Sequence, residues 1–142
     1  MKNLKSIMLG LALLLVVGAA SAAEGPGPAV LTKNYAINTY IDAMTRGKLS
    51  GVNEVFDQNV TFNILRGAQV QSFSKSEMMD NLKLNKNVEM DCTTSTSIVE
   101  NNADYALVKV DMKYTNFVRS NYVTMINTGQ GWKITNVYSV FK

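Results

Sequence analysis

Residues 87–141 read NVEMDCTTSTSIVENNADYALVKVDMKYTNFVRSNYVTMINTGQGWKITNVYSVF, and the spacing of their apolar side chains decides the fold. The period is two almost throughout, as in strands with one buried face. Val88, Met90, Cys92, Thr94, Thr96 and Ile98 fall on one face, and Glu89, Asp91, Thr93, Ser95 and Ser97 on the other. Past a turn at Glu100-Asn101-Asn102, Ala106, Val108, Val110, Met112 and Tyr114 alternate with Leu107, Lys109, Asp111 and Lys113. Further strands are predicted over Arg119 to Ile126 and Trp132 to Phe141. Between them Asn127 to Gly131, NTGQG, is a hairpin turn rich in residues that accept positive φ. Four consecutive strands joined by short turns predict an antiparallel meander.

Upstream the period becomes helical. Thr32 to Arg46 places Ile37, Tyr40, Ile41 and Met44 on one stripe, with Thr32 as N-cap and Gly47 as the stop. Leu49 to Phe56 reads as a shorter helix capped by Ser50, with Val52, Val55 and Phe56 apolar. Val60 to Leu65 alternates as a strand. Ser74 and Glu77 have the spacing of a capping box, which opens a third helix running to Leu84 with Met78, Met79 and Leu82 on its buried side. Helices segregated from strands predict an α+β fold, the helices covering one face of a curved antiparallel sheet.

Three segments carry a resemblance: YAINTYIDAM followed by a Gly turn, a short helix ending VFDQNVTFN, and the close GQGWKITNVYSVF. Together they resemble the nuclear transport factor 2-like superfamily, with its cone-shaped, cystatin-like fold, and within it the SnoaL-like and putative lumazine-binding groups. The resemblance covers most of Leu31 to Lys142. It implies a pocket between the first helix and the concave sheet face. Catalytic members use carboxylates, His and Tyr on the pocket wall. Here the stretch after W-K-I is Thr135-Asn136-Val137-Tyr138 without His, and the first strand carries Asn63 in place of a carboxylate.

The residues able to meet a ligand in such a pocket are Tyr40, Tyr114, Trp132, Asn136 and Tyr138. Tyr40 lies on the apolar stripe of the first helix. Trp132, Asn136 and Tyr138 share the phase of Ile134 on the last strand, and Tyr114 is expected on the same side. Buried Tyr hydroxyls need partners, and a ligand can supply one. Asp42 and Asp57 are the carboxylates nearest the expected pocket and the candidates for proton transfer. Competing readings are a solvated helix face for Asp42 and an Asx turn for Asp57. The superfamily's convex face often pairs subunits, which makes Leu107, Val123, Met125 and Val137 candidate homodimer contacts.

The chain has no His and one Cys, Cys92, so Ser-His-Asp and Cys-His chemistry are excluded. One Cys and no clustered carboxylates imply no zinc site, and no glycine-rich phosphate loop occurs. No cofactor is implied. Cys92, with apolar or Thr neighbours at i±2, reads as a small buried side chain. The formal charge is +3, but without Lys2 and Lys5 twelve basic residues face eleven acidic ones, and neither sign clusters. That balance points away from nucleic acid.

Lys2 and Lys5 precede an uncharged run from Ile7 to Ala20 and the small residues Ser21-Ala22-Ala23, the order of a secretory signal. The run is short for a membrane span. Residues 1–22 are thus assigned to a signal peptide cut near Ala22 or Ala23, residues 23–31 to a leader containing EGPGP, and residues 32–142 to one domain. The expected protein is periplasmic or secreted, with no membrane attachment after cleavage. It binds a small apolar or aromatic ligand in an apolar pocket. Alternatives are a lyase or isomerase acting through a pocket Asp, and an interaction or inhibitor module using the sheet surface.

Overall fold

A computed structural model describes residues 31–142. The expected signal peptide and nearly all of the leader lie outside the described residues.

Helix α1 spans Lys33–Arg46, and the Thr32 side chain caps it by accepting from the Tyr35 N–H. It ends at Gly47, which sits in the left-handed region at φ 63°. A Cβ there would meet the Asn87 nitrogen at 2.5 Å, so glycine permits both the turn and the close approach of the 85–88 segment. The second helix is shorter than expected: α2 is Val52–Val55, and its N-cap is Gly51 at φ 79°, with no side-chain cap. Ser50 therefore does not cap it. Two lysines grip its carbonyl end. Lys75 donates to the carbonyls of Asn53 (2.8 Å) and Phe56 (3.0 Å), and Lys133 donates to that of Glu54. Cations suit a helix C-terminus.

Strand β1 runs Phe56–Arg66, starting four residues before the expected Val60. An edge strand that the alternation did not announce, β2 (Gln69–Ser74), pairs back on it. Ser74 then caps α3 (Lys75–Leu84) in a complete capping box with Glu77. Strands β3 (Thr93–Asn101), β4 (Tyr105–Lys113), β5 (Val118–Thr128) and β6 (Gly131–Phe141) form the expected meander. The sheet order is β2-β1-β6-β5-β4-β3. Every pairing is antiparallel except β1–β6, which is parallel.

Residues 87–92 are not strand. Asn87 takes φ 61°, and the Met90 N–H donates to the Thr45 carbonyl at 2.7 Å. The segment ties to the end of α1 instead of extending the sheet. Its alternation comes from a loop with apolar residues turned alternately to the domain.

Two features break the simple period inside the sheet. The β5–β6 register slips between Thr124 and Met125, so that Thr124 faces Asn136 while Met125 faces Ile134. Thr135 is the extra residue of a bulge. Ile134 before it and Val137 and Ser139 after it are buried. Asn136 and Tyr138 consequently turn to the outer face, and the expected shared face with Trp132 and Ile134 does not form. The phase of β5 is the second correction. Val108 pairs with Val123 and Ala106 with Met125, which puts Val123, Met125 and Val137 under the helices, all essentially fully buried. Of the four expected dimer contacts only Leu107 lies on the outer face.

The core lies between α1, α2 and the inner sheet face. Tyr40, Val52, Val55, Phe56, Val123 and Ile134 are among its buried side chains. At the far edge, all nine residues of β3 are exposed.

Candidate functional site

The inner face of β5 carries Arg119, Asn121, Val123 and Met125 in phase, because alternate residues of a strand share a face. Val123 and Met125 belong to the core. Asn121 and Arg119 begin a polar stretch that continues onto β6. Arg119 Nε donates to Asn121 Oδ1 at 3.0 Å, and an Arg119 Nη donates to Ser139 Oγ at 3.3 Å. Ser139 Oγ donates to the same Asn121 oxygen at 2.6 Å. Asn121 Nδ2 donates to the Val110 carbonyl at 3.1 Å. Asn121 and Ser139 are buried, and this closed set of bonds satisfies them.

The guanidinium of Arg119 is only half engaged. It uses two side-chain bonds of a possible five N–H donors. The Phe141 ring lies 5.7 Å from it, and the same ring takes Arg66 at 5.5 Å. Among the described residues the ion pairs are Arg46–Asp42 and Lys109–Asp111, so no described carboxylate stands within 4.0 Å of Arg119.

Beside this guanidinium a cleft of about 450 Å³ opens between α3, the end of α1 and the sheet. Met44, Ile64, Phe73, Met78 and Leu84 form its apolar walls. Arg119 enters from the sheet, and Glu77, Asp80 and Asn81 line it from α3. Glu77 is held by its cap, accepting from the Ser74 N–H at 3.0 Å. The volume falls in the range of small-molecule sites.

The expected ligand residues are dispersed around this cleft, and none of the five lines it. Tyr40 lies one turn before Met44 on α1, fully buried, and its hydroxyl has no hydrogen-bond partner. Burial pushes that hydroxyl up to about 12, opposed by Arg119 nearby. Tyr114 is partly buried and stacks on Phe117 with ring centroids 4.6 Å apart. Burial raises its hydroxyl too, Cys92 adds to the shift and Arg119 opposes it. Trp132 borders a separate hollow beside Leu31 and Thr32, with Lys33 Nζ 4.8 Å from the ring centroid. Asn136, on the outer face, accepts from Asn63 Nδ2 at 2.9 Å. Tyr138, also outer, lies opposite Tyr122.

The two acid candidates also lie elsewhere. Asp42 pairs with Arg46 at 3.5 Å on the surface of α1. Asp57 accepts from the Asn59 N–H at 2.9 Å, the geometry of an Asx turn. Cys92 is partly exposed instead of buried.

Arg119 is the residue the sequence reading missed. Its signal was present: a cation two residues ahead of Asn121, in phase with Val123 and Met125. Once those two are placed in the core, Arg119 must point the same way.

Residues 32–139 match the family model described as "Putative lumazine-binding". The chain belongs to this family. The match covers nearly all of the described domain, and the fold is nuclear transport factor 2-like. A nuclear transport factor 2-like protein of unknown function from Silicibacter pomeroyi DSS-3 is similar at 17% identity, over 77% of this chain and 92% of that one, with a TM-score of 0.65. A protein from Cytophaga hutchinsonii with the same fold name gives 12% identity, coverage of 74% and 91%, and a TM-score of 0.59. A structure from Parabacteroides distasonis, titled a putative ketosteroid isomerase, gives 9% identity, coverage of 76% and 86%, and a TM-score of 0.54. At these identities the likeness is one of fold. The comparison with curated proteins returns no match.

Proposed function

We propose that this member of the lumazine-binding family is an exported protein that binds a small, mostly apolar molecule in the cleft between α3, Met44 and the inner sheet face. The observation that carries the reading is the contrast inside one face of the sheet. The apolar part is packed shut around Ile134, whereas the part under α3 leaves about 450 Å³ lined mainly by apolar side chains. The family's descriptive name is consistent with small-ligand binding. Asp42 and Asp57 both lie off the cleft, which favours binding over proton transfer.

The reading includes cleavage of residues 1–22 or 1–23 and pairing of two copies through the outer sheet face around Leu107, Tyr122 and Tyr138. Native mass spectrometry of the protein purified from its own compartment tests all three parts. The expected result is a dimer whose chains begin at Ala23 or Glu24 and carry an added small-molecule mass that denaturation removes. The added mass disappears in Met44→Trp, which fills the cleft. An added mass that Met44→Trp retains overturns the placement of the site.

A further inference from the structure

The chemistry of the cleft narrows its occupant. Its walls are apolar, but its sheet side ends in the half-engaged guanidinium of Arg119. Phe141 covers one side of that cation, and Asn121 and Ser139 fix its orientation. A guanidinium held in place with free N–H donors and no described carboxylate partner is arranged to receive an acid from outside, because such bonds are short, directional and about twice as strong as neutral ones. Opposite it, Glu77 and Asp80 line the cleft from α3. They place negative charge where the far end of a ligand would lie.

We propose that the cleft selects singly charged amphiphilic acids: a monocarboxylate on Arg119, with an apolar body along Met44, Ile64, Phe73 and Met78. The inference rests on the reading of the cleft as the ligand site and adds the class of ligand. A second negative charge at the distal end is disfavoured by Glu77 and Asp80. An alcohol of the same length keeps the apolar contacts and forgoes the charge-assisted bonds.

Displacement of the neutral dye N-phenyl-1-naphthylamine tests this. The competitors are decanoate, 1-decanol and decanedioate, which share one chain length. Decanoate is expected to displace the dye at about one-tenth of the 1-decanol concentration, as one charge-assisted contact implies. Decanedioate should need several-fold more than decanoate. In Arg119→Gln the dye still binds, and decanoate and 1-decanol become equal. Because Arg119→Gln also removes bonds to Asn121 and Ser139, Asp80→Asn serves as the second variant. Asp80 is exposed, and its neutralisation should narrow the gap between decanedioate and decanoate. Equal displacement by decanoate and 1-decanol in the unmodified protein overturns the acid inference and leaves the cleft as a site. Failure of the dye to bind the folded protein overturns the cleft as a site, and the inference with it.

Discussion

The inner face of β5 and β6 is built differently at its two ends. Around Val123, Met125, Ile134 and Val137 the side chains are aliphatic, α1 and α2 lie on them, and almost no solvent reaches them. Around Arg119, Asn121 and Ser139 the same face is polar, and α3 stands off to leave the cleft. An aliphatic surface stabilises the domain only when it is covered tightly. A hydrogen-bonded polar cluster is already satisfied, so a neighbouring helix gains less by pressing onto it. The polar end can therefore border a cavity without a large loss of stability.

Four changes and one titration break or sharpen that contrast. The largest effect belongs to the packed end: Ile134→Ala should destabilise by about 4 kcal/mol, because neighbours pinned by strands cannot collapse into the void. Chemical denaturation measures it, and a value near 1 kcal/mol would mean that this end is not tightly packed.

Next comes Tyr40, whose hydroxyl is raised from 10.0 to about 12 by burial. The folded state holds the proton more tightly than the unfolded state. This contribution is therefore fully present below pH 10 and lost as the pH rises through about 12. The loss is on the order of 2–3 kcal/mol. Denaturation curves of the wild type and Tyr40→Phe between pH 8 and 12 should diverge by that amount. Parallel curves would place the hydroxyl in contact with solvent.

Asn121→Ala is expected to cost about 2 kcal/mol, since it strips partners from Arg119, Ser139 and the Val110 carbonyl at once. A smaller loss with unchanged thermal unfolding would show that water replaces the side chain. Met78→Ala, on the cleft wall, should cost only about 1 kcal/mol, because it enlarges a space that is already open. If it matches Ile134→Ala, the contrast between the two ends is void. Smallest of all, Tyr40→Phe at pH 7 should change stability by less than about 0.5 kcal/mol, as the hydroxyl has no protein partner to lose. A larger loss in thermal melts would reveal a bound water or ligand group on it.

Much of the fold was legible locally. Thr32, Gly47 and the Ser74–Glu77 box mark their helices because each satisfies backbone groups within a few residues. The meander was legible from its period. What escaped notice was set by pairing between distant residues. Strand β2, QVQSFS, is mostly exposed on both faces and so has no apolar alternation to read. The parallel β1–β6 pairing joins residues far apart in the chain and leaves no local trace. The phase of β5 depends on the turn after Tyr114, and an error of one residue moved Val123 and Met125 to the wrong face and hid Arg119.

The site was legible only in kind. An apolar pocket near the first helix and the concave face is what the structure offers. The named ligand residues were placed by extending an unbroken alternation through Thr135, and the bulge sends Asn136 and Tyr138 outward. Tyr40 was correctly put on the buried stripe, but burial alone does not say whether a hydroxyl meets a cavity.

The bulge at Thr135 also bears on how this domain can change over generations. A strand held to strict alternation would not bury both Ile134 and Val137, and deleting one codon here restores that alternation. Everything after it would then invert. Asn136 and Tyr138 would turn under the helices, while Val137 and Ser139 would turn outward and leave Arg119 without one of its anchors. A single-residue deletion elsewhere in an exposed turn is a minor edit, but here it exchanges the inside of the domain for its outside. Relatives that differ in length within this strand are therefore not comparable position by position beyond it.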